Sequence, residues 1–396
     1  MTDAALVLNV GSSSVKFALY AMPSLELLCR GGVEAIGSER AKLTVTGPRA
    51  AGLEGAAPLG GDHADVAARL LRAFAERLPD VALIGAGHRV VHGGTAFRDP
   101  VRIDARVLET LERFVPLAPS HQPQNLAAIR AVAAAAPGLP QVACFDTAFH
   151  RTQPAHAQIF ALPRALTEEG IVRYGFHGLS YEYLAGVLPD FAGERADGRV
   201  VIAHLGHGAS LCALRERRSV ATTMGFTALD GLVMGTRSGA IDPGVVLYLL
   251  QEKGMTADDV SDLLYRRSGL LGVSGLSDDL RVLEADGGAA AEAAMDLFAY
   301  RAAREIGSLA AALGGLDVLV FSAGIGEHSP SMRARISSYS AWLGVALDAA
   351  ANAAGRSRIG AAGAPVDVFV IPTDEELPIA RSLKRLLLAG GDARAG

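Results

Sequence analysis

Lysine is scarce in this chain: of its 37 basic residues only Lys16, Lys42, Lys253 and Lys384 are lysines. Lys16 stands just past the small-residue run Gly11-Ser12-Ser13-Ser14, where the apolar strand candidate Leu6–Val10 turns into a second apolar strand. A loop of small residues between strands exposes backbone N–H groups, and glycine lets an anion approach them closely. With a cation beside it, such a loop suits a polyphosphate. The segment from Asn9 to Leu19 can be laid without gaps over His204-Leu205-Gly206-His207-Gly208-Ala209-Ser210-Leu211-Cys212-Ala213-Leu214, an offset of 195 residues. One such loop reads as an ordinary hairpin turn. Two, each opening one half of the chain, point to a duplicated domain with one phosphate cradle per half. No G-x-x-x-x-G-K-[ST] motif occurs, which excludes a P-loop enzyme on motif grounds.

Five further places carry chemistry. A Gly-rich turn, Ser322 to His328, follows the strand candidate Val318–Phe321, where a base or ribose can pack on backbone at a strand end. Arg89, within Gly87-His88-Arg89-Val90-Val91-His92-Gly93-Gly94, and Arg237, within Met234-Gly235-Thr236-Arg237-Ser238-Gly239, are guanidinium groups among glycines and apolar residues. Each suits a carboxylate or phosphate, though each taken alone reads sooner as a surface ion pair. Asp146 ends the strand candidate Gln141–Phe145, a position for magnesium, for a general base, or for a helix cap. His177 sits beside an aromatic and between glycines in Tyr174-Gly175-Phe176-His177-Gly178.

Strand candidates Val81–Ile84, Gln141–Phe145, Val318–Phe321 and Val366–Ile371 must position these residues. They alternate with Ala- and Leu-rich helical stretches at 64–77, 126–136, 257–265, 289–313 and 379–388. That alternation is an α/β architecture, and 396 residues are too many for one ordinary core, so two domains are expected. Segment 37–62 reads as a surface excursion, and segment 146–180 as the crossover between halves. A charged share of 20% and a net charge of -5 exclude a nucleic-acid arm or a disordered acidic tail. Cys29, Cys144 and Cys212 are odd in number and widely spaced, as in a reducing compartment. No apolar run approaches membrane-spanning length, and the start of the chain has no basic region ahead of an apolar one, so a cytoplasmic protein is expected.

Taken together, the motifs resemble the acetate kinase family, within the superfamily of acetate and sugar kinases, Hsp70 and actin. The similarity runs in order over nearly the whole chain: Asn9 to Lys16, Gly87 to Gly94, Ala118 to Pro123, Phe-Asp-Thr-Ala-Phe-His at 145–150, Tyr-Gly-Phe-His-Gly at 174–178, His204 to Ser210, Met224 to Pro243, Gly269 to Arg281, Ala323 to Ser329 with its Ala-Gly-Ile-Gly-Glu, and Ile371 to Leu377. The resemblance implies duplicated actin-like (ribonuclease H-like) domains forming two lobes with a central nucleotide cleft. The first lobe would comprise 1–148 plus 377–396 and the second 149–376. The activity it implies is reversible transfer of the ATP γ-phosphoryl group to acetate, giving acetyl phosphate and ADP. Propionate or another short-chain acid is the alternative acceptor. It also implies Mg²⁺, with Mn²⁺ as a substitute, and a homodimer through the second half; neither nucleic acid nor a membrane is an expected partner.

Residue by residue, the resemblance places Mg²⁺ at Asn9 and Glu375, and the phosphates at Ser12, Ser14 and Lys16. His204, Leu205, Gly206, His207 and Gly208 would line the phosphate path. Asp279, Leu280 and Arg281 would meet adenosine, with Gly324, Ile325, Gly326, Glu327 and His328 on the base and ribose side. Arg89 would bind the acyl carboxylate, Asp146 would be the catalytic carboxylate, and His177 with Arg237 would stabilise the moving phosphoryl group. The acyl pocket would be formed by Val91, Ser120, His121, Phe176 and Ala228. The chain departs from the family pattern at several of these positions. His207 and His328 replace a usual asparagine, Ser120 a usual leucine and Ala228 a usual proline, while Leu179 and Tyr181 stand where threonine and histidine are common. Leu280 stands where an aromatic or other side chain is often found.

Overall fold

The computed structural model describes residues 1–11, 14–34, 36, 41–53, 61–119 and 121–388. Ser12 and Ser120, expected at the phosphate loop and the acyl pocket, lie outside the described residues, as does much of segment 37–62. The chain divides into two compact units: Met1–Phe149 with the segment from Asp374 onward, and His150–Thr373.

The first unit is built on a seven-stranded sheet: β1 (Thr2–Val10), β2 (Val15–Ala21), β3 (Leu27–Glu34), β4 (Lys42–Thr46), β5 (Val81–Val90), β6 (Val101–Arg102) and β7 (Gln141–Phe145), in the order β4-β3-β2-β1-β5-β7-β6. The second unit holds five strands: β8 (Val200–Leu205), β9 (Ala209–Arg215), β10 (Arg218–Thr222), β11 (Val318–Ser322) and β12 (Asp367–Val370), in the order β10-β9-β8-β11-β12. Each unit therefore contains the same five-strand pattern. An antiparallel meander (β1-β2-β3; β8-β9-β10) continues on its first strand into two parallel strands (β5 and β7; β11 and β12). The duplication inferred from the two hairpins is present in the topology, and the fold is a duplicated actin-like α/β fold.

The helices that position the functional residues are α1 (His63–Arg77), α2 (Gln122–Ala135), α3 (Gly178–Val187), α4 (Pro243–Gln251), α5 (Leu280–Asp286), α6 (Ala289–Leu313), α7 (Ala323–His328), α8 (Pro330–Tyr339) and α9 (Glu376–Leu388). One face of the first sheet is covered by α1 and α2, with Val66, Leu70 and Phe74 of α1 buried against Leu6, Leu8 and Phe17. Asp62 starts α1 by accepting from the amides of Ala64 and Asp65, a reciprocal cap with Asp65. Each such apolar side chain stabilises the fold by about 1.5–3 kcal/mol on burial.

Two sequence expectations need correction. The strand expected to end at Ile84 runs on to Val90. Gly85 and Gly87 look like turn signals, but they lie inside the strand because α9 packs directly on it. A Cβ on Gly87 would stand 2.5 Å from Ile379 Cγ2, and one on Gly85 2.7 Å from Leu387 Cδ1. The gap-free overlay of the hairpins also slips by one residue. Val10 faces Val15 across a four-residue turn, whereas Leu205 faces Ala209 across three residues. Asn9 is opposite Lys16 and His204 is opposite Ser210, so Lys16 corresponds to Ser210 rather than to Leu211.

Candidate functional site

In the first unit the chemistry gathers where the parallel strands end. Arg89 lies two residues beyond Gly87 and so shares its face of β5, the face covered by α9. Its Nε donates to both oxygens of Asp146 (3.0 and 3.1 Å) and its Nη2 to Oδ2 (2.5 Å). Its Nη1 donates to Asn9 Oδ1 at 3.1 Å, and Asn9 Nδ2 in turn donates to Glu375 Oε2 at 3.0 Å. The close seating of α9 brings Glu375, just ahead of that helix, into this cluster. Asp146 is almost fully buried; burial pushes its carboxyl upward, and the Arg89 guanidinium opposes that rise. Burial works against the charge on Arg89, yet the attraction of Asp146 outweighs it and holds the guanidinium above its ordinary value. With both oxygens on one guanidinium, Asp146 is arranged as an organiser of Arg89. Five N–H groups belong to an arginine, and the contacts above leave one on each terminal nitrogen.

Lys16, directly across the hairpin from Asn9, is exposed on the same face of the sheet. Gly11 N donates to Ser14 O at 2.8 Å, which closes the turn. Val91 is held by α2: its amide donates to Asn125 Oδ1 at 3.0 Å, while Asn125 Nδ2 donates to Val10 O at 2.9 Å. Asn125 thus fastens the ends of β1 and β5 together. His121 directly precedes the same helix, and its carbonyl accepts from the Asn125 amide.

Glu375 offers a carboxylate, and Asn9 an amide oxygen that also accepts from Arg89. That set fits magnesium, which keeps several waters and takes one or two protein carboxylates together with phosphate oxygens. Among the described residues there is no group of three or more His, Cys, Asp or Glu side chains able to hold a metal by themselves.

In the second unit, a cavity of about 500 Å³ is lined by Gly206, His207, Asp278, Asp279, Leu280, Arg281, Glu284, Gly324, Ile325, His328 and Ser329. It brings together eight of the residues expected at the nucleotide. His204, Leu205, Gly208, Gly326 and Glu327 do not line it, and Asp278, Glu284 and Ser329 are additional. The expected Gly-rich turn after β11 is instead the short helix α7, entered through Ala323 at φ 63°. Glu327 anchors its start by accepting from the amides of Ala323 (2.8 Å) and Thr373 (3.2 Å). Buried Arg333 holds its end, donating from Nη1 to the carbonyls of Gly326 and Glu327 (both 2.9 Å) and from Nε to Asn352 Oδ1 (2.8 Å). Elsewhere in the lining, Arg281 donates to Asp279 through Nε and Nη2, and hydrogen bonding from Arg281 keeps the Asp279 carboxyl below its ordinary value. His207 Nε2 meets Asp278 Oδ2 at 3.0 Å.

Next to this cavity, His177 and Arg237 converge on Gly208. A Cβ at position 208 would lie 3.3 Å from His177 Nε2 and 3.9 Å from Arg237 Nη1. His177 has φ 59°, a left-handed conformation uncommon outside glycine and enriched at functional sites. Its ring stacks on His204 at a centroid distance of 4.3 Å. Arg237 Nη1 also donates to Ala228 O at 2.9 Å, which ties the expected acyl-pocket residue to the expected phosphoryl contact. Phe176 is buried, and its carbonyl accepts from Nε2 of His150 at 2.9 Å. Burial holds His150 neutral, lowered to about 4.

An actin-like fold whose second unit holds a cavity at its strand ends, with an imidazole and a guanidinium beside it, is that of a nucleotide-dependent phosphotransferase. The chain belongs to the acetokinase family, whose model matches residues 4–381. It is 55% identical to an acetate kinase of Rhodopseudomonas palustris over 98% of this chain and all of that one. Two crystal structures are similar in fold and sequence. A propionate kinase of Francisella tularensis has a TM-score of 0.88 and 36% identity, covering 96% of this chain and 98% of that one. The acetate kinase of Porphyromonas gingivalis has a TM-score of 0.82 and 35% identity, covering 98% and 100%.

Proposed function

We propose that this chain catalyses the reversible, magnesium-dependent transfer of the ATP γ-phosphoryl group to acetate, giving acetyl phosphate and ADP. The observation that carries the reading is the convergence of His177 Nε2 and Arg237 Nη1 on Gly208, beside a cavity of nucleotide size. A carboxylate is already ionised at neutral pH, so no base is needed to generate the nucleophile. The obstacle is repulsion between two anions and a loose transition state with charge on its equatorial oxygens. Arg237 and the His177 donor suit those oxygens, and the two remaining Arg89 N–H groups suit the acid's carboxylate. Asp146 and Asn9 keep Arg89 aimed. Magnesium at Asn9 and Glu375 would supply charge neutralisation on the phosphates. The buried thiols, with Cys29 pushed up to about 11 and Cys212 to about 12 by desolvation, are inert and compatible with a cytoplasmic setting.

The test is ADP formation with C2 to C4 acids, with and without magnesium. No acid-dependent ADP formation would sink the reading, and a higher kcat/KM for propionate or butyrate would move it to that acyl kinase.

We further propose that a second copy covers α4. Its sequence Pro-Gly-Val-Val-Leu-Tyr-Leu-Leu-Gln is strongly apolar, yet none of its residues is buried, and Leu247 and Tyr248 are about half exposed. A contiguous apolar face of this kind marks an interface. Light scattering should give a dimer, and Leu247→Glu should give a monomer; a wild-type monomer would refute it.

A further inference from the structure

Behind His177 lies a chain of hydroxyl groups. His177 Nδ1 is 2.8 Å from Ser210 Oγ, and Ser210 Oγ is 2.5 Å from the Tyr181 hydroxyl. Ser210 and Tyr181 are both fully buried. Ser210 stands on β9 and Tyr181 one turn into α3, the helix that His177 itself precedes, so both are held by regular structure. A serine has one proton to give and here has two neighbours. The phenol is the more acidic hydroxyl, so in the short contact Tyr181 donates and Ser210 Oγ accepts. The Ser210 proton is then directed at His177 Nδ1. A neutral imidazole that accepts at Nδ1 carries its own proton at Nε2, the nitrogen that faces Gly208.

We propose that Tyr181 and Ser210 are positioning residues that fix His177 in its Nε2–H tautomer, so that a donor rather than a lone pair meets the transferring phosphoryl group. The inference rests on the function proposed above for its consequence in catalysis, but the tautomer itself is independent of it. The neighbouring imidazole provides a control. His204 Nδ1 is 2.8 Å from Ser180 Oγ, which is 2.8 Å from Thr373 Oγ1; two hydroxyls of like acidity impose no such direction.

The decisive measurement is ¹⁵N NMR of the full-length protein, with His177→Asn used to assign the ring. The expected result at neutral pH is an Nε2–H signature for His177. Ser210→Ala should shift it toward a mixture, Tyr181→Phe should do so more weakly, and His204 should be unmoved by either. In parallel, Ser210→Ala should lower kcat about a hundredfold and Tyr181→Phe roughly five- to tenfold, with KM for both substrates little changed. Ser210→Thr, which keeps the hydroxyl, should restore most of the rate. An Nδ1–H or doubly protonated His177 in the wild type, or a tautomer indifferent to Ser210→Ala, would overturn the proposal even in an active enzyme. Wild-type protein without acid-dependent kinase activity would instead remove the functional reading and leave the tautomer result standing.

Discussion

The hairpins that begin the two sheets share one pairing pattern but differ in turn length and in the residue that stands opposite Asn9 or His204. Opposite Asn9 the first unit carries Lys16, exposed on the sheet face. Opposite His204 the second carries Ser210, fully buried beneath His177. The first hairpin bears its own cation, whereas the second obtains its donors from distant segments, Phe176-His177-Gly178 and the loop around Arg237. The surroundings follow suit. Arg89 is locked into a buried ion pair, with its side chain 15% exposed and that of Asp146 2%. Arg237 donates from Nη1 to the neutral carbonyl of Ala228 among its contacts. A duplicated scaffold can thus place charge by folding it into the core or by presenting it at a loop, and the two choices have different energetic consequences.

The largest predicted effect tests that contrast. Arg89→Ala leaves Asp146 buried without its partner, which should destabilise the first unit by about 3–5 kcal/mol and abolish most acid-dependent ADP formation; urea unfolding and the kinase assay read the two losses. Arg237→Ala should lower kcat by a factor of about 10² to 10³ with an unfolding midpoint close to wild type. Equal stability losses at the two arginines would erase the distinction.

A third prediction concerns what the units share. His88 in the first and His150 in the second are each lowered by burial from 6.5 to about 4. Between those pH values the unfolded chain binds protons that the folded chain refuses. The stability due to each histidine is therefore complete above about pH 6.5 and declines as the pH falls toward 4, by about 3 kcal/mol per histidine. Denaturant titrations from pH 7 to 4.5 should show the decline, and His88→Gln should remove about half of it.

Gly87→Val should push α9 off β5, costing about 1–3 kcal/mol and raising the magnesium concentration needed if Glu375 holds the ion as proposed; an unchanged magnesium titration would count against that proposed site. The smallest effect is expected at His207→Asn. The His207–Asp278 pair is exposed on both sides and worth under about 1 kcal/mol, so KM for ATP should move only a few-fold.

The hairpins, the α/β alternation and the duplication were legible because small residues between apolar runs leave a local trace. The interior of β5 was not, since a glycine admitting a helix looks the same in sequence as a glycine making a turn. Arg89, Asp146, His177 and Arg237 stood out through their settings among glycines and at strand ends. Asn125, Ser210, Asp278 and Arg333 did not, because each works through a partner far away along the chain or through a buried hydroxyl whose setting only the fold creates. Asn125, for example, reaches Val10 across 115 residues.

The first unit is interrupted in sequence: α9 and Glu375 are encoded after the whole of the second. On the ribosome the contiguous second unit can be synthesised entire, while the first must wait for the last segment to emerge before Gly85 and Gly87 are covered. Prematurely terminated chains would therefore carry the cavity of the second unit but no Glu375, and a circular permutant that begins at Asp374 would let the first unit assemble without delay.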